Sequence, residues 1–365
     1  MHLLFLPRYA SQGASSRYRL WQYAPLFEKV GHEVDVWPLM DDSYLRRLYE
    51  NGRRPWPQIF SGYTRRILKI PELRDFDVVL CEQEAFPYMP VAWEDCLRRR
   101  CQRFFVDYDD AAYVRYERWP FLRNKIPRIM AEASGVVVGN PHLAQYARQF
   151  NPRVTIIPTV VDLTRYPKRP QAKATSSIRV AWIGTPVTAK LLIPVVPVLQ
   201  RIQQEYKDLA FCFIGAGRAG IFDGLNAETP EWSEEEEAKL LADCDLGIMP
   251  LPDDEFTRGK CGFKLIQYMA CYLPVVASPV GVNREIVEHG RNGFLASNPE
   301  EWYTALSQLI MDRNLRQSMG RAARDKVESG YTLERGFAKW LAVIEGLAEE
   351  CGLIPSVEIT LGQRA

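Results

Sequence analysis

The stretch Asp245–Gly281, DLGIMPLPDDEFTRGKCGFKLIQYMACYLPVVASPVG, admits few folds. It opens on a short apolar run closed by Pro250, and Leu273–Ala277 is a second run with two adjacent valines, which predicts two buried strands. Between them Pro252–Gly262 is a polar loop carrying Asp253, Asp254, Glu255, Arg258, Gly259, Lys260 and Gly262. Phe263–Cys271 then sets Leu265, Ile266 and Met269 on one helical face. A strand that empties through a glycine-bearing loop into a helix aims free backbone N–H groups and a positive dipole end at whatever lies above the sheet. A phosphate would bind there, with Lys260 and Lys264 flanking the helix start. An ordinary strand–loop–helix unit with solvated lysines has the same spacing.

A chain of 365 residues is long enough for two domains with sizeable cores. With 46 basic and 45 acidic residues no global field argues for nucleic acid. The eight cysteines show no C-x-x-C pair, and four isolated histidines add no zinc pattern, so a reduced, cytoplasmic setting is expected. The opening MHLLFLPRYA lacks the basic flank of a signal peptide, and no run reaches the roughly 18 apolar residues of a membrane helix. The expected protein is soluble or at most peripheral.

His2–Leu6 reads as a strand, Pro7–Ser16 as a small-residue loop with Gly13, Tyr18–Val30 as an amphipathic helix and His32–Trp37 as a second strand. This β-α-β start opens a doubly wound sheet whose ligand edge lies at the loop after the first strand. Arg17 and Arg19 sit at the helix entrance as acceptor or phosphate contacts, or as plain surface arginines. Val78–Leu80, Phe104–Val106 and, as the last of this half, Gly135–Gly139 are further strands, and Asp107, Asp109 and Asp110 follow the second of them. Clustered carboxylates suit magnesium, but no phosphate-loop lysine accompanies them, so no metal is expected. Tyr44–Ile70 carries Arg46, Arg47, Arg53, Arg54, Arg65, Arg66 and Lys69 against Glu50 alone, interleaved with Trp56 and Phe60. Such a segment suits an anionic lipid surface or a polyanionic acceptor, or else a solvated helical face.

Residues 164–177, rich in Pro, Lys and Ser without periodicity, read as a linker, and Arg179–Gly184 restarts the β-α-β pattern with Thr185–Lys190 as its turn. GAGRAG at 215–220 matches a dinucleotide fingerprint, yet it falls mid-half and no acidic residue ends a following strand at the needed distance, which disfavours a nicotinamide. Ser233 with Glu236 predicts a capped helix start at Trp232–Leu241, and Leu333–Glu349 a last amphipathic helix.

The run EFTRGKCGFKLIQYMACYLPVVASPVG resembles the donor-binding signature of retaining glycosyltransferases of family 4. That resemblance implies the GT-B arrangement, two doubly wound Rossmann-like halves facing across a cleft. It places an acceptor-side half at 1–165, a nucleotide-sugar half at 178–330 and a helix at 331–351 crossing back to the first. It implies a donor site of Gly184, Thr185, Lys190, Gly215, Glu255, Lys260, Gly262, Phe263, Lys264 and Gln267, with Lys264, Lys190 and Asp109 catalytic and Gly13, Arg17 and Asp110 on the acceptor side. The family's two glutamates fall at Gly259 and Gln267, and its phosphate-binding arginine at Thr185. Gln267 can still reach ribose hydroxyls; Gly259 cannot replace a carboxylate, which leaves Glu255 or Asp254 to supply it. Asn283–Val287 and Phe294–Ala296 are similar to the family's closing strand region. The implied activity is retaining transfer from a nucleotide sugar, UDP rather than GDP on family frequency, to a glycan or lipid-linked acceptor in polysaccharide or cell-envelope glycan biosynthesis. No cofactor and no metal are implied. A nucleotide-sugar 2-epimerase of the same architecture, or a binding subunit with a decayed site, are the alternatives.

Overall fold

The computed structural model describes residues 1–51, 54–168, 177–217 and 220–346. Arg53, Arg218 and Ala219 and the end of the expected last helix lie outside them. Two six-stranded sheets organise the chain. The first comprises β1 (His2–Leu6), β2 (Glu33–Val36), β3 (Val78–Glu82), β4 (Phe104–Tyr108), β5 (Gly135–Val138) and β6 (Val154–Ile156) in the order β2-β1-β3-β4-β5-β6. The second comprises β7 (Ile178–Ile183), β8 (Leu209–Ile214), β9 (Ala227–Glu228), β10 (Leu246–Met249), β11 (Val275–Ala277) and β12 (Gly293–Leu295) in the order β12-β11-β10-β7-β8-β9. All the pairings are parallel. Strand order therefore reverses at β1/β3 in one half and at β7/β10 in the other, which opens a crevice beyond the carboxyl ends at each.

The side-chain period of two divides the first sheet between two cores. Leu4, Leu6, Val79, Cys81 and Val106 face one, and Leu3, Phe5, Val78, Leu80, Phe105 and Val137 the other. The second core is completed by the helix Leu333–Glu345, which brings Phe337, Trp340 and Ile344 back from the end of the chain. Burying each such side chain stabilises by about 1.5–3 kcal/mol, and a bridge between Val161 and Thr332 fixes where the helix enters.

The expected helix over Tyr18–Val30 is divided. Ala14–Arg19 is one helix and Ala24–Lys29 another, with a 3₁₀ turn over Trp21–Tyr23. Pro25 explains the restart, because it sits in the first turn of the second helix, where no N–H is needed. β4 runs two residues beyond its expected end, so Asp107 belongs to the strand. Asn283–Ile286 is a helical turn and only Gly293–Leu295 pairs as the closing strand.

The basic segment forms two helices, Asp42–Asn51 and Trp56–Leu68. Two of its arginines are structural. Arg66 is buried and donates to the carbonyls of Ala85, Pro7 and Trp37, and Arg65 donates to those of Pro38 and Leu39. Arg66 stands next to Arg65 in the same basic run, so the sequence does not mark it as the buried one.

Candidate functional site

The helix Phe263–Ala270 starts beneath the β7/β10 crevice, at Gly262 in the left-handed conformation (φ 65°). A Cβ at Gly262 would collide with Ile286, so the turn needs glycine on two counts. No side chain caps this helix start, which leaves its first N–H groups facing the crevice. Lys264, on the first turn, donates to the Ile183 carbonyl at the end of β7 and lies 4.7 Å over the Trp182 ring. Gly184 makes room for it: a Cβ there would stand 2.7 Å from Lys264 Nζ and from Thr188 Oγ1. Among the described residues no carboxylate lies within ion-pair distance of Lys264. Burial, then Lys260, lower its pKa to about 7, against a weaker opposing pull from Glu237. The residue keeps partial exposure, and water softens that depression.

Thr185, in the place of the expected arginine, closes a turn instead: its N–H donates to Thr188 Oγ1 at 3.0 Å and its carbonyl accepts from Thr188 and Ala189. Lys190 is exposed at the end of that turn. Gly215 (φ 71°) abuts the Gly184 carbonyl, where a Cβ would clash, and has Trp232 beside it. Gln267 is buried on the next turn of the 263–270 helix.

The crevice of the first half holds carboxylates. Glu82, at the end of β3, is buried and accepts from Arg8 N at 2.8 Å, from Ser16 Oγ and from Ser15 Oγ at 2.7 Å. Ser15 Oγ also lies 2.6 Å from Asp109 Oδ2, and Gln83 Nε2 donates to Asp109 Oδ1 at 2.9 Å. One hydroxyl proton cannot serve two carboxylates, so the Glu82–Ser15–Asp109 chain closes only with a further proton on the pair. Burial, then the neighbouring Asp109, raise the pKa of Glu82 in keeping with this. Gln83 adopts φ 57°, a strained conformation at the same edge. Gly13 lets the loop fold onto Tyr9, whose Cβ a side chain at 13 would strike.

The three aspartates are separated by their partners. Asp107 is buried against Arg19, with Nε to Oδ2 at 2.8 Å; Asp109 joins Ser15 and Gln83; Asp110 pairs with Lys260 at 3.2 Å. Among the described residues no group of His, Cys, Asp and Glu is arranged to hold a metal ion.

The loop 255–263 faces the first half along its length. Asn140 Nδ2 donates to the Gly259 carbonyl at 2.8 Å, Cys261 Sγ approaches the Asp109 carbonyl at 3.0 Å, and Phe263 packs on Tyr18 with centroids 4.1 Å apart. At Gly259 a Cβ would stand 2.8 Å from Ala111 N, so this close approach leaves no space for the expected glutamate. Each of the two expected substitutes has partners of its own. Glu255 accepts from Tyr113 Oη at 2.6 Å and contacts His142 Nε2 at 3.1 Å, and Asp254 caps its own short helix by accepting from Thr257 N. Arg17 is likewise engaged. It lies between Tyr18 and Trp232, with its guanidinium carbon 4.7 and 4.6 Å from the two centroids, and donates to the Ser11 carbonyl, while its Nε has no partner among the described residues.

Glu82, Ser15, Tyr113, His142 and Trp232 were not singled out by sequence. Glu82 alone left a signal, as an acid directly after an apolar strand run.

Residues 177–312 match the family described as Glycosyl transferases group 1. The D-inositol 3-phosphate glycosyltransferase of Paenarthrobacter aurescens is 32% identical over 113 residues, which span 30% of this chain and 26% of that protein. Among solved structures, sucrose-phosphate synthase from Thermosynechococcus elongatus superposes with a TM-score of 0.74 at 15% identity, covering 96% of this chain and all of that one (100%). Anabaena HepE in complex with UDP-glucose gives 0.72 at 14% identity, covering 95% and 100%. The chain has the GT-B fold, two parallel α/β sheets with their carboxyl edges on one cleft.

Proposed function

We propose that this protein is a glycosyltransferase that moves a sugar from a nucleotide-sugar donor, UDP-linked rather than GDP-linked, to a hydroxyl of a glycan or lipid-linked acceptor with retention at the anomeric carbon. The observation that carries the reading is Lys264: a cation at a strand-order switch point, with no carboxylate at ion-pair distance among the described residues, beside an uncapped helix start. Such a place favours an anion, and a diphosphate supplies one. The match to Glycosyl transferases group 1 over 177–312 supports it on the same half.

In this scheme the acceptor hydroxyl attacks the anomeric carbon on the face from which the diphosphate departs. The sugar–oxygen bond to phosphate breaks, and the leaving phosphate takes the hydroxyl proton. Lys264 and the N–H groups after Gly262 stabilise the charge that grows on the diphosphate. Gln267 serves the ribose, Gly215 lets the base approach, and Lys190 adds a mobile charge at the rim. Lys260 is paired with Asp110 and sets the position of the loop. Asp109 faces the sugar and the acceptor from the opposite sheet. No step calls for a metal ion, and none for a cofactor.

Incubation with UDP- and GDP-sugars, with release of nucleoside diphosphate as readout, tests the reading. Donor-specific release supports transfer. Release of free epimerised sugar would favour the epimerase, and stabilisation by a nucleotide sugar without turnover would favour a binding subunit. A donor at a hundredfold its Kd raises stability by roughly 2.7 kcal/mol, which a thermal-shift screen detects.

A further inference from the structure

The aromatic rings most open to solvent share one rim of the first half. Phe121 is 99% and Trp119 57% exposed on the turn after β4, and Phe60 is 68% and Trp56 59% exposed on the 56–68 helix. The turn is held in shape: Trp119 N donates to the Tyr116 carbonyl at 2.9 Å, Arg123 N donates to the Trp119 carbonyl at 2.8 Å, and Leu122 is buried in the core of the first half. Tyr88 joins the segments, with its N–H on Tyr116 Oη at 2.9 Å, its ring 5.6 Å from that of Tyr116, and Arg54 5.9 Å above its centroid. Exposed Arg54, Arg118 and Arg123 alternate with the rings, and Glu117 is the acid among them.

We infer that this rim is a docking surface for an anionic bilayer, with Trp119 and Phe121 entering the interface and the arginines meeting lipid phosphates. Rings interleaved with guanidinium groups suit a surface that is apolar below and negative above. A protein partner's apolar patch would instead leave those charges to be desolvated. The basis differs from the whole Tyr44–Ile70 segment, since Arg65 and Arg66 are bonded to backbone carbonyls. The rim also continues the carboxyl edge that carries Asp109, because Tyr88 follows β3 and Trp119 follows β4. A lipid-linked acceptor with its head group at the bilayer surface would thus be presented to the cleft. The inference rests on the proposed membrane-held acceptor.

Flotation of the full chain with phosphatidylglycerol-containing vesicles, against phosphatidylcholine vesicles, tests it. The expected result is anionic-selective binding that weakens as salt rises, lowered roughly tenfold or more in Trp119→Ser/Phe121→Ser. Met311→Ser, an exposed apolar site on the other half (66% exposed), should bind as the parent does. Should the double variant misfold, brominated lipid in the parent vesicles should quench a fluorescence component that Trp119→Phe removes. Equal binding to both vesicle types, binding to neither, or parent-like binding by a folded double variant overturns the inference. Nucleoside-diphosphate release measured in the same preparations, without vesicles, keeps a failure of docking separate from a failure of glycosyl transfer.

Discussion

The two crevices hold opposite imbalances. Around Glu82 the first half gathers acceptors faster than protons, and settles the excess internally through Ser15, Ser16, Gln83 and the Arg8 N–H. Around Lys264 the second half has a cation whose described contacts are a carbonyl and a ring face. One site is mostly paired within itself, with Gln83 Oε1 left without a partner among the described residues; the other is left with charge to share. A buried polar group keeps an unmet demand at a cost in stability, so the unmet demand is where a ligand is to be sought.

The strongest way to break this contrast is to remove the cation. Lys264→Ala should lower turnover by roughly a hundredfold, on the order of 3 kcal/mol, with the thermal transition unchanged or raised because a desolvated charge is gone. Lys190→Ala, at an exposed position, should cost less than Lys264→Ala. Steady-state kinetics of the two variants side by side would refute the contrast if the order were reversed. Donor affinity should also fall as pH rises through about 7, where Lys264 loses its proton, and calorimetric titration should show that slope flattened in Lys264→Met.

Next in size is the contact between the halves. Gly259→Ala puts a methyl 2.7 Å from Ala111 Cβ and 2.8 Å from Ala111 N, and should destabilise the chain by about 1–3 kcal/mol, as overpacking does. An unshifted denaturation midpoint would mean that this loop does not rest on the first half in solution.

A smaller effect is expected at Glu82. Its raised pKa means that the folded state holds the proton more tightly than the unfolded chain. The stability this adds is full at pH below the ordinary carboxylate range and is lost as pH climbs through the raised value. Each pKa unit is worth about 1.4 kcal/mol, so melting temperature should decline with pH over that window in the parent. In Glu82→Gln, which carries the N–H permanently, the decline should be weaker; parallel curves would show that the pair does not share a proton. The least effect is foreseen for excess chelator, which should leave transfer intact; activity lost and then restored by magnesium would assign a metal to the carboxylates.

The second half was more legible than the first. Its strands, loop and 263–270 helix follow from apolar runs and glycine placement within one short stretch, because parallel β-α-β units write their pattern locally. In the first half β1 to β5 were visible, but β6 (Val154–Ile156) was missed, because three half-buried residues make too short a run, and the site was not visible either. Glu82, Ser15 and Asp109 lie far apart in sequence and meet only because β3 and β4 neighbour the β1 loop. The partners of Glu255 were hidden for a related reason: Tyr113 and His142 come from the other half, and nothing near position 255 announces them. Arg66 shows the limit of charge patterns, since a guanidinium that satisfies three carbonyls is written like one that greets solvent.

Cys261 belongs by sequence to the second half, yet it is buried within the apolar core of the first, and at Gly139 a Cβ would strike its sulfur. Separating the halves must therefore draw this thiol out of one core into water. Its alkylation rate, followed against those of exposed Cys96 and partly exposed Cys101, becomes a clock for how often the cleft breathes. A bound donor that bridges the two edges should slow it.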